Sequence, residues 1–261
     1  MRPLSFAPFS LALLAGLALA PAVMVPAANA EDAIELPKHN WSFSGPFGTY
    51  DRAAAQRGFQ VYKEVCSACH SMNLVHYRDL AGIGFDAKQI AAIAATVEVP
   101  GGINDDGEPF TRKGLPSDFF KAPFANEKAA RAANNGALPP DQSVLLNARE
   151  GGADYIYDLL TGYADPPAGM TMGDGMNYNK YFPGHQIAMG QPLHDDQVVY
   201  SDGTKATVEQ EAHDVVTFLA YVANPEMEER KRLGVKAMIF LALLTGVTYA
   251  VKRRVWADVD H

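Results

Sequence analysis

Apolar side chains recur at helical spacing in two well-separated stretches, each bounded by residues that start or stop a helix. In residues 52–64, Ala55, Phe59 and Tyr62 fall on one face behind Asp51, an N-cap whose carboxylate can accept from the first free backbone N–H groups. Gly58 lowers helix propensity there, so its expected use is close backbone approach by another helix. The second stretch places Val208, Ala212, Val215, Val216, Leu219 and Val222 on one stripe. Thr207 with Gln210 reads as its capping box, and Asn224-Pro225 as its stop. Weaker periodicity predicts short helices over residues 86–96, 126–134 and 154–160. Between them, residues 100–109 read as turns around Asn104-Asp105-Asp106-Gly107, and residues 162–190 as mostly irregular. A short hairpin is predicted over residues 197–207 through Ser201-Asp202-Gly203-Thr204. The fold class is mainly α.

Two longer apolar runs divide the chain. Residues 1–30 combine a basic Arg2, an apolar core from Phe9 to Ala20, and Ala28-Asn29-Ala30 as a small-residue cleavage site, the pattern of a bacterial export signal. A transmembrane helix is the weaker reading, because the run is short and Pro21 and Pro26 follow it. Residues 233–251 form an apolar run whose one charge is Lys236. As a helix they would extend about 28 Å, against a hydrocarbon core of about 30 Å. A buried core helix would not need the basic triplets that flank this run, Arg230-Lys231-Arg232 and Lys252-Arg253-Arg254. The expected organisation is a cleaved signal at 1–30, an exported domain at 31–228, a membrane anchor with its basic lead-in at 229–251, and a cytoplasmic tail at 252–261. Residues 31–50, rich in Pro, Gly and aromatics, read as a loop that wraps over something apolar.

This division changes the meaning of the charge. The whole chain carries −8, but residues 31–227 hold 26 acidic against 14 basic side chains, a net −12, while seven basic residues crowd the anchor. An acidic exported domain argues against nucleic acid as a partner and for a basic one. Acidity that merely keeps the domain soluble is the competing explanation. Glu98, Asp105, Asp106 and Glu108 form the candidate cluster for such a contact.

The chain has two cysteines, in Val65-Cys66-Ser67-Ala68-Cys69-His70-Ser71. Cys-x-x-Cys-His is the attachment signature of a c-type haem. Two thiols at this spacing can reach the two vinyl groups on one porphyrin edge, and the adjacent His70 is then delivered to one face of the iron as a neutral imidazole. A zinc site would need further ligands at short spacing, and a thioredoxin-like motif would need a βαβ context. One helix before this motif and one at the end of the domain is the arrangement of small c-type cytochromes, with long loop insertions here. The second axial position is open from spacing alone. Met72 is too near His70 to reach the opposite face, and Met227 lies beyond the last helix, which leaves Met170, Met172, Met176 and Met189.

Five stretches resemble the cytochrome c1 family: residues 57–72 around the motif, 129–141, 148–163, 177–193 and 202–207, followed by the C-terminal anchor. The resemblance covers essentially the whole mature length. It implies one covalent haem c bound by Cys66 and Cys69, with His70 and Met189 as axial iron ligands, Arg149 on a haem propionate, and Asn135 and Pro140 lining the pocket. Gly190-Gln191-Pro192 stands where the family often has a run of prolines. It further implies an electron relay from a Rieske iron–sulfur protein to a soluble c-type cytochrome, in a dimeric complex with cytochrome b. Quinol oxidation belongs to that complex and not to this chain alone. The expected location is the bacterial inner membrane, with one pass through its lipid and the haem domain on the periplasmic side.

Overall fold

The structure is a computed structural model and describes residues 34–258; the expected signal at 1–30 lies outside them. Asp51 caps α1 (Arg52–Glu64) by accepting from Ala54 N at 3.0 Å. At the other end of the domain, α5 (Val208–Ala223) begins at Thr207, whose hydroxyl accepts from Gln210 N at 3.2 Å. The reciprocal half of the expected box is replaced, because Thr207 N donates to Lys205 O at 3.2 Å. α5 ends at Asn224, before Pro225.

These two helices pack on one another and form the centre of the domain. Gly58 is the reason they can approach so closely: a Cβ there would run into the backbone carbonyl of Asp214 and the Cβ of Phe218. Around that crossing Phe59 meets Phe218 and Phe120 with ring centroids 5.6 and 5.9 Å apart, and Leu219, Val215 and Met72 complete a dry core. Arg57 bridges the helices, donating from Nε and Nη2 to the two oxygens of the buried Asp214 at 2.7 and 3.0 Å.

The remaining helices are short. α2 (Ala87–Ala94) is opened by a capping box in which Asp86 and Gln89 exchange bonds of 2.8 Å. α3 (Glu127–Ala133) starts at Asn126, and α4 (Gly152–Thr161) packs on α5. A 3-10 segment at Tyr77–Ile83, which has no periodic signature in the sequence, is tied to α5 where Tyr221 donates its hydroxyl to Asp79 O. Residues 34–50 wrap over α4 and α5 as expected of that loop. Trp41 stacks on His213 at 5.1 Å and donates to Asp154 at 2.7 Å, while His39 Nε2 meets the buried Asp158 at 2.8 Å.

Two expectations for the loops fail. The turn-rich stretch is the end of an antiparallel hairpin, β1 (Glu98–Ile103) with β2 (Pro109–Lys113), broken by a bulge between Pro100 and Gly102. Pro100 and the two glycines erase the alternation that marks a strand, whereas Asn104 Oδ1 holds the turn by accepting from Asp106 N and Glu108 N. Conversely, residues 197–207 make no hairpin. Their polar groups are claimed by neighbouring helices: Val198 N donates to Glu211 on α5, and Asp202 accepts from Arg57 on α1. The irregular stretch 162–190 contains one tiny pair, β3 (Asn177–Tyr178) with β4 (Gln186–Ile187).

The last helix, α6 (Met227–Val255), runs 29 residues, or about 44 Å, and takes in both basic triplets. It is long and apolar enough to cross a membrane, and the apolar side chains Met238, Ile239, Phe240, Leu241 and Leu243 along it are exposed.

Candidate haem site

α1 runs straight into the motif. Its C-cap Val65 donates to Val61 O at 2.9 Å, and Cys66–Ala68 then tightens into a 3-10 turn, with Cys69 N and His70 N both donating to Cys66 O. This places Cys66 half-buried against the core and Cys69 exposed, both as free thiols. Burial pushes the Cys66 thiol up to about 12, the reverse of the lowered value that a thiolate nucleophile needs.

His70 is oriented by the protein. Its Nδ1 lies 2.8 Å from Pro140 O, and a carbonyl can only accept, so Nδ1 carries the proton and Nε2 keeps its lone pair. Burial holds the imidazole below its ordinary value despite that carbonyl, which favours the neutral ring a metal requires. Thus Pro140 meets His70 through its backbone oxygen.

The segment that carries Pro140 is clamped to the motif by the next residue. Asp141 Oδ2 accepts from Ser71 Oγ and Asn73 N, each at 2.8 Å, and Oδ1 accepts from Ser143 N at 2.9 Å. Gln142 N donates to Ser71 O, and Leu74 N to Ser143 Oγ. Burial raises the Asp141 carboxyl, but the bonds from Ser143, Asn73 and Ser71 outweigh it and hold the group below the usual carboxylate range. Motif reading missed this clamp, although Asp141-x-Ser143 after two prolines is an Asx-turn pattern visible in the sequence.

The other expected residues are placed as follows. Met72 is fully buried in the core and Met227 is buried at the start of α6, whereas Met170, Met172, Met176 and Met189 are half-buried in loops. The Met189 backbone is held by Tyr163, whose hydroxyl donates to Met189 O at 3.1 Å, and the following loop is rooted by the buried Leu193. Asn135 sits in the left-handed region at φ 51° and beside Gly175, whose loop is tied to β4 by Gly173 N donating to Gln186 Oε1. Arg149 is exposed, donates to Ala148 O at 3.0 Å, and pairs with no carboxylate among the described residues.

A Cys-x-x-Cys-His turn at the end of α1, an imidazole with its lone pair freed, and a second helix packed across α1 define a c-type cytochrome. Residues 41–259 match the model of the Cytochrome C1 family. The chain is 47% identical over 247 residues to "Cytochrome c1" of Rhodospirillum rubrum, covering 88% of this chain and 91% of that protein. It is 49% identical over 231 residues to "Cytochrome c1 1, heme protein, mitochondrial" of Arabidopsis thaliana, covering 88% and 75%. A third relative, "Cytochrome b/c1" of Bradyrhizobium diazoefficiens, is 46% identical over 244 residues, covering 85% of this chain and 36% of that longer protein. The chain therefore belongs to the cytochrome c1 family, haem c proteins of electron transport.

Proposed function

We propose that this chain is the membrane-anchored monohaem subunit of a quinol–cytochrome c oxidoreductase, accepting an electron from a Rieske iron–sulfur protein and passing it to a soluble c-type cytochrome. The observation that carries the reading is the 2.8 Å contact between His70 Nδ1 and Pro140 O, which fixes the tautomer that leaves Nε2 its lone pair in a motif that holds two free thiols. Cys66 and Cys69 would hold the haem through thioethers, and His70 and Met189 would ligate its iron. When bound, the haem supplies a one-electron iron couple. The chain's own part is to fix geometry: the Asp141 clamp locks the His70 segment, and Tyr163 restrains the Met189 loop. Arg149, free of protein carboxylates among the described residues, is suited to a propionate through its planar fork. Asn135 and Pro140 border the same segment. A thioether ligand and partial burial both favour the ferrous state and raise the potential.

The name of the Bradyrhizobium relative joins cytochrome b and c1, which supports assembly with cytochrome b, in a complex we take to be dimeric. The export signal expected at 1–30 supports a periplasmic haem domain at the bacterial inner membrane, with α6 as its anchor in the lipid. Purification under mild detergent tests the assignment: b-type haem and a Rieske centre should co-purify, and their absence would sink the complex. Met189→Leu tests the ligand. It should abolish the low-spin six-coordinate spectrum and lower the midpoint potential; survival of both would move the sixth ligand to Met170, Met172 or Met176.

A further inference from the structure

Glu211 lies where the segments that carry Cys66 and Met189 come together. Val198, on the segment that follows Met189, donates its N–H to Glu211 Oε1 at 3.2 Å, and the adjoining Val199 O accepts from Gln60 Nε2 on α1 at 3.0 Å. From there α1 runs on into Cys66, and the charge of Glu211 reaches that thiol. The carboxyl is fully buried, and neither its Oε2 nor the buried Tyr200 hydroxyl has a hydrogen-bond partner among the described residues. Because Oε1 already accepts, the proton of the neutral acid belongs on Oε2. Among the described residues no basic side chain pairs with the ionised form: Arg57, the guanidinium that enters this cluster from α1, is engaged by Asp214 at 2.7 and 3.0 Å and by Asp202 at 2.9 Å. The other charges around Glu211 are acidic, Asp195 and Asp196 on the exposed loop before Val198 and Asp214 further along α5, where His213 lies 3.8 Å from it. Burial raises the Glu211 carboxyl to about 7 against the pull of the Val198 bond, and the three aspartates add to the rise.

We propose that Glu211 exchanges its proton in step with the haem iron, neutral beside the ferrous form and ionised beside the ferric one. The inference rests on reading Cys66 and Cys69 as the thioether anchors of the haem. As one electron leaves the ferrous haem for the soluble cytochrome, the O–H bond at Oε2 breaks and its proton passes to water beside Asp195 and Asp196. The proton returns when the Rieske donor restores the electron. Ferric haem carries one more positive charge than ferrous haem, so a buried carboxylate nearby stabilises the oxidised state. Glu211 therefore makes the potential follow pH, high where the group is neutral and lower where it is ionised.

The test is an equilibrium redox titration of the full chain in its detergent-purified complex, following the c-type haem band from about pH 5 to about pH 9. Oxidation should raise the acidity of Glu211 about tenfold, so the midpoint should fall by about 59 mV from the acid to the alkaline plateau. Glu211→Gln should hold the acid value throughout, whereas Asp196→Asn, on the exposed loop, should keep the fall. Redox-difference infrared spectra of the wild type should show a protonated-carboxyl band that accompanies the ferrous state and is missing from Glu211→Gln. A flat wild-type profile, absence of that band, or a fall that survives Glu211→Gln would each overturn the proposal, the last by assigning the proton to a propionate or another group. Loss of the fall in Asp196→Asn alone would overturn it too, by placing the proton on the loop. Spectra in alkaline pyridine keep the two readings apart. Absence of a thioether-linked haem would defeat the haem assignment and this inference together, whereas a covalent haem with a pH-independent midpoint defeats this inference alone.

Discussion

At the scale of single residues, Glu211 departs furthest from what its chemistry favours. It lies in the first turn of α5, 0% exposed, with Oε1 accepting from Val198 N at 3.2 Å and Oε2 without a hydrogen-bond partner among the described residues. Burial raises the carboxyl to about 7, the Val198 bond opposes that, and the nearby Asp195, Asp196 and Asp214 add to it. An acid whose folded value lies above its unfolded value binds its proton more tightly when folded. Its contribution is fully present below about 4.5 and is lost as pH rises through about 7. Glu211→Gln keeps a carbonyl for Val198 N and removes the charge. It should therefore leave stability nearly unchanged at pH 5 and raise it at pH 8 by on the order of 1–3 kcal/mol, read from denaturant midpoints. A gain of equal size at both pH values would show that packing, and not ionisation, is the cause.

At the scale of elements, the α1–α5 crossing sets where the haem motif lies, because α1 ends directly in Cys66. Gly58→Ala would force a methyl group into the Asp214 carbonyl, and backbone cannot yield as a flexible side chain does. The expected cost is about 1–3 kcal/mol, seen as a lower thermal midpoint with reduced haem content; an unchanged midpoint would mean that the crossing opens without penalty. This crossing was legible in the sequence, since a cap, an apolar stripe and an out-of-place glycine all act locally. The cap of α1 and the stop at Asn224 were legible for the same reason. What escaped was decided at a distance. Residues 197–207 carry a turn signal and still form no hairpin, because Glu211 and Arg57 capture their polar groups. The motif singles out Cys66, Cys69 and His70 as candidates, but it carries no sign of the partner of His70 Nδ1, which lies 70 residues onward at Pro140. Nor does spacing choose among four loop methionines; only resemblance selects Met189.

At the scale of the whole molecule, charge is segregated: residues 31–227 carry −12, and seven basic residues gather at the two ends of α6. The β1–β2 hairpin adds to this asymmetry, since Glu98, Asp105, Asp106 and Glu108 are all exposed, while its Arg112 is neutralised by Asp118 at 2.6 and 2.7 Å. Such a field extends over about 8 Å at physiological ionic strength, so it accelerates encounter with a basic protein more than it tightens the docked complex. Electron transfer to a lysine-rich soluble cytochrome, followed by stopped flow, should therefore slow by about tenfold or more between low and high salt, with the loss in the second-order rate constant. The combined variant Asp105→Asn, Asp106→Asn and Glu108→Gln separates the hairpin from the bulk charge. If the hairpin steers, the variant flattens the salt dependence and lowers the rate at low salt, leaving the high-salt rate unchanged. A wild-type rate indifferent to salt would instead make the acidity a matter of solubility.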